Sequence, residues 1–193
     1  MFTIDCEDNV ISNLFSGCPL IEEMICSGCE GLGTIKLFGL YRLNKIKLVY
    51  NRDLKAVYIK NLNVSSLIVS GLTIPFKIGV YHCMKLRKIS LELASIKDDW
   101  LCKTISELLI LESLKLVYCH ELKSIKISSS SLKKLKIKKC LEVVKLQIDT
   151  PNLSVFSYEG YMFSFSSNAF TLSNINLFLY GKWYVAPSQW YER

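Results

Sequence analysis

One template, apolar-x-x-apolar-x-apolar, recurs through this chain, and its spacing restricts the fold more than any other feature. Between residues 111 and 158 it starts at Leu111, Leu122, Leu132, Val143 and Leu153, so the steps are 11, 10, 11 and 10 residues. Two steps make 21, and at that spacing Cys119 and Cys140 fall at the same template position. The centre of each copy, such as Leu114-Lys115-Leu116 or Leu135-Lys136-Ile137, alternates apolar and polar residues, the two-residue period of a strand. A half-step of this length holds a short strand and a turn but no helix. Units repeated at a fixed period cannot bury their apolar faces alone, so they stack into a solenoid. The spacing therefore predicts a coil with a strand on each side and two parallel sheets, with Leu, Ile and Val facing inward.

The same phase runs earlier in the chain. Copies start at Ile21, Leu32, Leu43, Leu54 and Val64, in degenerate form at Pro75, and again at Leu86, which makes about six full repeats in all. The interval from Leu91 to Leu111 breaks the rhythm. Trp100, Leu101, Ile105, Leu108 and Leu109 there have a helical spacing, so one repeat is expected to carry a helix on its back. Asp98 and Asp99 are expected to supply its N-cap and favourable first-turn charge. Beyond Tyr158 aromatics accumulate, Asn174 to Tyr180 predicts a further strand, and Pro187 to Tyr191 reads as a helix start. The expected organisation is a single domain over 1–193, with clear repeats at about 18–158. Residues 159–193 form an aromatic-rich C-terminal part that reads as cut short.

Certain copies carry a family resemblance. Leu14-Phe-Ser-Gly-Cys18-Pro-Leu-Ile-Glu-Glu-Met24 resembles the repeats of plant F-box/leucine-rich-repeat proteins of the FBD type. So do Leu111-Glu-Ser-Leu-Lys-Leu-Val-Tyr-Cys119, with Asp99-Trp100-Leu101 before it, and Ile148-Asp-Thr-Pro151-Asn-Leu153. The resemblance covers about residues 14–190. It implies an α/β leucine-rich-repeat solenoid, β-dominated, with parallel strands on both faces and one or two short helices. It also implies a non-enzymatic protein–protein interaction module, the substrate-recognition repeat region of an SCF-type ubiquitin ligase F-box protein or a truncated paralogue. In that family an F-box binds a Skp1-type adaptor while the repeats recruit the target. No F-box is visible in these residues, so a Skp1-type adaptor is expected as a partner only where a longer chain supplies one. Two alternatives stand beside this reading: a repeat segment of a plant immune receptor, and a basic nucleic-acid-binding protein.

Charge and cysteine usage narrow the classes further. Half of the residues are apolar and 21% are charged, a balance that suits a folded chain. No run approaches the roughly 20 apolar residues that cross a bilayer, and the N-terminus is acidic where a secretory signal would be basic. A cytoplasmic or nuclear location is expected, with the eight cysteines reduced. Cys26-x-x-Cys29 lacks the second ligand pair that zinc requires. His82 and His120 adjoin Cys83 and Cys119, but neighbours in extended chain point to opposite faces. No phosphate-cradling glycine loop is present. No catalytic residue, cofactor or metal is therefore expected.

The net charge of +7 is unevenly placed. Residues 1–30 hold six acids and no Lys or Arg, whereas residues 115–145 hold nine lysines against Glu121 and Glu142. Lys115 and Lys136 occupy one template slot a full repeat apart and should stack about 4.8 Å apart on one face. Equivalent and flanking slots complete the expected partner-binding face: Glu112, Ser113, Lys115, Lys133, Lys134, Lys136, Lys138, Ser154 and Ser157. Lys126 and Gln147 belong to the opposite face. The cluster is all lysine and lacks nearby aromatics for base stacking, which points away from nucleic acid; it reads first as a solvated polar face that also discourages edge pairing, and next as a surface for an acidic protein partner. The target itself is unknown.

Overall fold

The template recurs because each of its three apolar residues has a separate task. In the computed structural model, which describes residues 14, 17–60, 63–71 and 74–181, the first apolar residue closes a turn and the other two point inward from the strand that follows. The amide of Leu122 donates to the Cys119 carbonyl, that of Val143 to Cys140, and that of Leu153 to Thr150. Leu122, Val143 and Leu153 are all buried. The strand residues then alternate, with Leu114 and Leu116, or Leu135 and Ile137, in the core.

The strands are β1 (Glu23–Ser27), β2 (Thr34–Phe38), β3 (Lys45–Val49), β4 (Ala56–Lys60), β5 (Ser66–Ser70), β6 (Lys77–Tyr81) and β7 (Lys88–Glu92). After helix α1 (Asp98–Glu107) come β8 (Ser113–Val117), β9 (Ser124–Ser128), β10 (Lys134–Lys138), β11 (Lys145–Asp149), β12 (Val155–Tyr161), β13 (Ser164–Ser167) and β14 (Asn174–Tyr180). A front sheet of eight strands runs β1-β3-β5-β7-β8-β10-β12-β14. The back carries two three-stranded sheets, β2-β4-β6 and β9-β11-β13, and every pairing is parallel. The fold is thus the expected β-dominated leucine-rich-repeat solenoid. The sequence suggested about six repeats; the front sheet has eight strands.

Strands alternate between front and back until β7. There the back strand begins, with Phe76 bridging Ala94, and is replaced by α1. The register offset grows to 25 residues at that point (Lys88 opposite Ser113), against 21 between Ser113 and Lys134. The extra residues lie behind the sheet, so the front stays continuous.

Most strands are entered through one shared acceptor. A single carbonyl takes two successive amides of the next coil: Arg87 O from Glu112 and Ser113, Glu112 O from Lys133 and Lys134, and Lys133 O from Ser154 and Val155. At β9 the preceding back element is a helix and cannot present such a carbonyl. The Asp98 carboxylate takes its place, accepting the amides of Lys123 and Ser124 at 2.9 Å each. This corrects the expected N-cap. The residue before the helix is Lys97, whose side chain has no acceptor and makes no cap, and Asp98 reaches sideways to the neighbouring strand.

Six front strands leave the sheet through a residue with positive φ: Gly28, Tyr50, Gly71, Leu93, Tyr118 and Lys139, with φ between 52° and 74° wherever this region is occupied among the described residues. The amides of Gly28, Tyr50, Leu93 and Tyr118 reach the last carbonyl of the adjacent strand, as from Tyr118 to Lys138, and that of Lys139 reaches Glu159 within β12. The predicted strand after Asn174 is β14. The helix start read at 187–191, and most of residues 1–17, lie outside the described residues.

Candidate interaction face

The residues that β7, β8, β10 and β12 do not bury form rows across the front sheet. Register sets Lys115 beside Lys136 and Lys136 beside Ser157. One row over, Lys88 faces Ser113, which faces Lys134. Together with Ile68, Ser90, Asn174 and Asn176 they line a shallow groove of about 490 Å³. The back face carries Lys126 beside Gln147, as expected.

Two acids, each in a cluster of cations, flank the groove. Glu112 lies in the entry turn of β8, 2.9 Å from the Arg87 guanidinium and 3.2 Å from Lys133 Nζ. The bond and charge of Lys133, then the charge of Arg87, hold its carboxyl below the usual carboxylate range. At the other end of the strands, Glu159 accepts from Lys138 at 3.2 Å and from the Tyr180 hydroxyl at 2.9 Å, with Lys139 Nζ at 3.8 Å. Burial opposes ionisation of Glu159, but the Tyr180 hydroxyl and the two ammonium groups outweigh it and lower its pKa. Lys139 also lies over the Tyr118 ring, 5.4 Å from its centroid, and its pKa is raised by Tyr118 first and Glu159 second.

The nine residues singled out from sequence therefore divide. Ser113, Lys115, Lys134, Lys136 and Ser157 face the groove. Glu112, Lys133 and Lys138 are ion-paired at its margins, and the Ser154 hydroxyl donates to the Lys133 carbonyl. Lys88, Lys115, Lys134 and Lys136 have no carboxylate partner among the described residues. The sequence reading missed Lys88, Ser90, Asn174 and Asn176. The copy at Leu86 was visible, but the 25-residue step hid its alignment with the copy at Leu111.

The cysteines stitch neighbouring coils together. The Cys29 amide donates to Asn51 Oδ1 at 3.0 Å, and Asn51 Nδ2 donates to the Cys26 carbonyl at 3.1 Å. Cys26 Sγ lies 2.8 Å from Cys29 Sγ and 3.4 Å from Asn51 Oδ1. At the same template position several repeats further along the chain, the Cys119 amide donates to Cys140 Sγ at 3.4 Å. The hydrogen bond with Cys140, and then burial, push the Cys119 thiol up, so it stays protonated. His82 and His120 are exposed whereas Cys83 and Cys119 are buried, so the members of each adjacent pair lie on opposite sides of the chain.

Among the described residues no helix is long and apolar enough to cross a membrane. A family model described as the At1g61320/AtMIF1 LRR domain matches residues 73–186, more than half of the chain. No curated protein and no solved structure gives a significant match.

Proposed function

Because the chain belongs to the At1g61320/AtMIF1 leucine-rich-repeat domain family, we propose that its front sheet recognises a target protein without catalysis, as the substrate-recognition repeat region of an SCF-type ubiquitin ligase F-box protein or a truncated paralogue. The observation that carries the recognition reading is the front sheet itself. It runs unbroken across eight strands while the back is interrupted. The face comprises Ser113, Lys115, Lys134, Lys136 and Ser157 as its floor, with Glu112, Lys133, Lys138 and Ser154 at its edge.

Size limits what this face holds. Eight strands at about 4.8 Å spacing span about 34 Å, and five residues span about 17 Å. The projected area is about 570 Å², short of the roughly 800 Å² per partner of a standard interface. A target that presents an extended segment, or that also grips the turns, fits better than a flat globular surface.

A photo-crosslinking residue at Ile68 on the front tests the recognition reading against one at Lys126 on the back. Target adducts from Ile68 are expected; adducts from Lys126 alone refute it. The ligase assignment has its own test. An F-box in frame upstream, together with co-purification of a Skp1-type adaptor by that longer chain, supports it. An upstream frame without an F-box reduces the protein to a stand-alone interaction module. The chain as given should not retain the adaptor in a pull-down.

A further inference from the structure

We propose that the front groove takes an extended acidic peptide segment of the target, with Asp or Glu carboxylates seated among Lys88, Lys115, Lys134 and Lys136. The inference rests on the recognition reading and adds the chemistry of the partner. Lys115 and Lys136 stand directly beside each other in paired strands. Like charges in that relation destabilise a sheet. Among the described residues the fold supplies no counter-charge: Glu112 is held by Arg87 and Lys133, and Glu159 by Lys138, Lys139 and Tyr180. An anion brought by a ligand relieves the repulsion that the empty groove sustains.

The remaining lining selects among anions. The side chains of Ser90, Ser113, Ser157, Asn174 and Asn176 border the groove and make no hydrogen bond among the described residues. Hydroxyls and amides both donate and accept, which suits a peptide backbone. No aromatic ring lines the groove, so bases have nothing to stack upon. The cations are all lysine, point charges that match single carboxylates, where a phosphate would favour the forked donors of arginine. An extended chain occupies one strand width of about 4.8 Å, well within the face.

The test is fluorescence anisotropy with the 193-residue chain and a dye-labelled peptide of alternating Glu and Ser, at about 150 mM salt. Saturable binding is expected, with none for the Gln and Ser counterpart. The double variant Lys115→Glu with Lys136→Glu should weaken binding on the order of tenfold or more, since exposed ion pairs are individually modest but both reverse sign. The control pair Lys126→Glu with Lys145→Glu makes the same change of net charge on the back and should leave the affinity unchanged. Melting curves show whether each variant is folded. Equal binding of the Gln peptide, or equal loss in both double variants, overturns the inference. Preferential binding of a phosphoserine peptide or a single-stranded oligonucleotide of matched charge overturns it as well. A failed peptide titration alongside target adducts from Ile68 removes the acidic-segment inference alone. Adducts confined to Lys126 remove the recognition reading beneath it.

Discussion

Removing the Asp98 side chain tests whether a carboxylate truly replaces a backbone acceptor where helix and sheet meet. In Asp98→Ala the amides of Lys123 and Ser124, each now 2.9 Å from a carboxylate oxygen, lose their acceptor at the start of β9. A hydrogen bond to a charged group contributes about 1.5–3 kcal/mol when shielded, and the loss of a helix cap costs about 1 kcal/mol. Asp98 is half-buried and water reaches the entry turn, so the expected loss is about 1–2 kcal/mol. In a chain of this size that lowers Tm by about 2–8 °C. Asp99 is the matched control: it shares the first turn of α1 and its charge effect on the helix, but is exposed. The difference between Asp98→Ala and Asp99→Ala therefore isolates the link to β9. Asp98→Asn retains one oxygen and should fall between them. Repeat chains can unfold in parts, so hydrogen exchange at Lys123 and Ser124 is the sharper readout. Faster exchange there, with little change at Lys145, is expected. Equal melting of the two alanine variants, with unaltered exchange at both amides, would refute the reasoning.

Three further outcomes follow from single contacts. The folded pKa of Glu112 lies below its ordinary value, so its contribution is present above that ordinary value and is lost as pH falls through the folded one; Glu112→Gln should flatten the acid limb of a Tm profile between about pH 5 and pH 3, less so in high salt. The Thr150 hydroxyl is buried with no hydrogen-bond partner, so Thr150→Val should stabilise by about 1 kcal/mol in urea titration, and a loss of stability would show that the hydroxyl has a role. Gly71 has φ +69°, and an added Cβ would lie 2.4 Å from Tyr50 Cδ1, so Gly71→Ala should cost about 1–2 kcal/mol, of which a Tyr50→Ala background removes only the clash.

The repeats were legible because strand and turn leave different marks. Leu111, Leu114 and Leu116 are apolar for three separate reasons, and the interval to the next copy is too short for anything but a strand. The helix was legible for the converse reason: twenty residues without the template, but with a stripe of helical period. What stayed hidden depends on geometry that composition does not record. Tyr50, Leu93, Tyr118 and Lys139 occupy the left-handed region that Gly28 and Gly71 occupy at equivalent positions, and nothing in those side chains signals it. Strand β13 escaped because Ser164-Phe-Ser-Ser carries a single apolar residue and gains its order from pairing with β11. Asp98 sits where an N-cap box would be sought, and only the neighbouring strand reveals its competing use. At the candidate face, the pairing of Lys115 with Lys136 could be read from spacing, but not which lysines are already neutralised. That depends on where the turns place Glu112 and Glu159.

The alternation of front and back strands bears on how such a chain tolerates change in length. Loss of 21 residues between β8 and β10 would excise one whole coil and leave every later strand on its present side. Loss of about half as many would transfer each later strand to the opposite sheet, exchanging the lysine row for the side that now presents Lys126 and Gln147. The core would survive either event, since both faces bury the same Leu and Ile pattern. Gene duplications and deletions in units of one coil would therefore lengthen or shorten the recognition surface, whereas half-coil events would replace it with another while preserving a foldable protein.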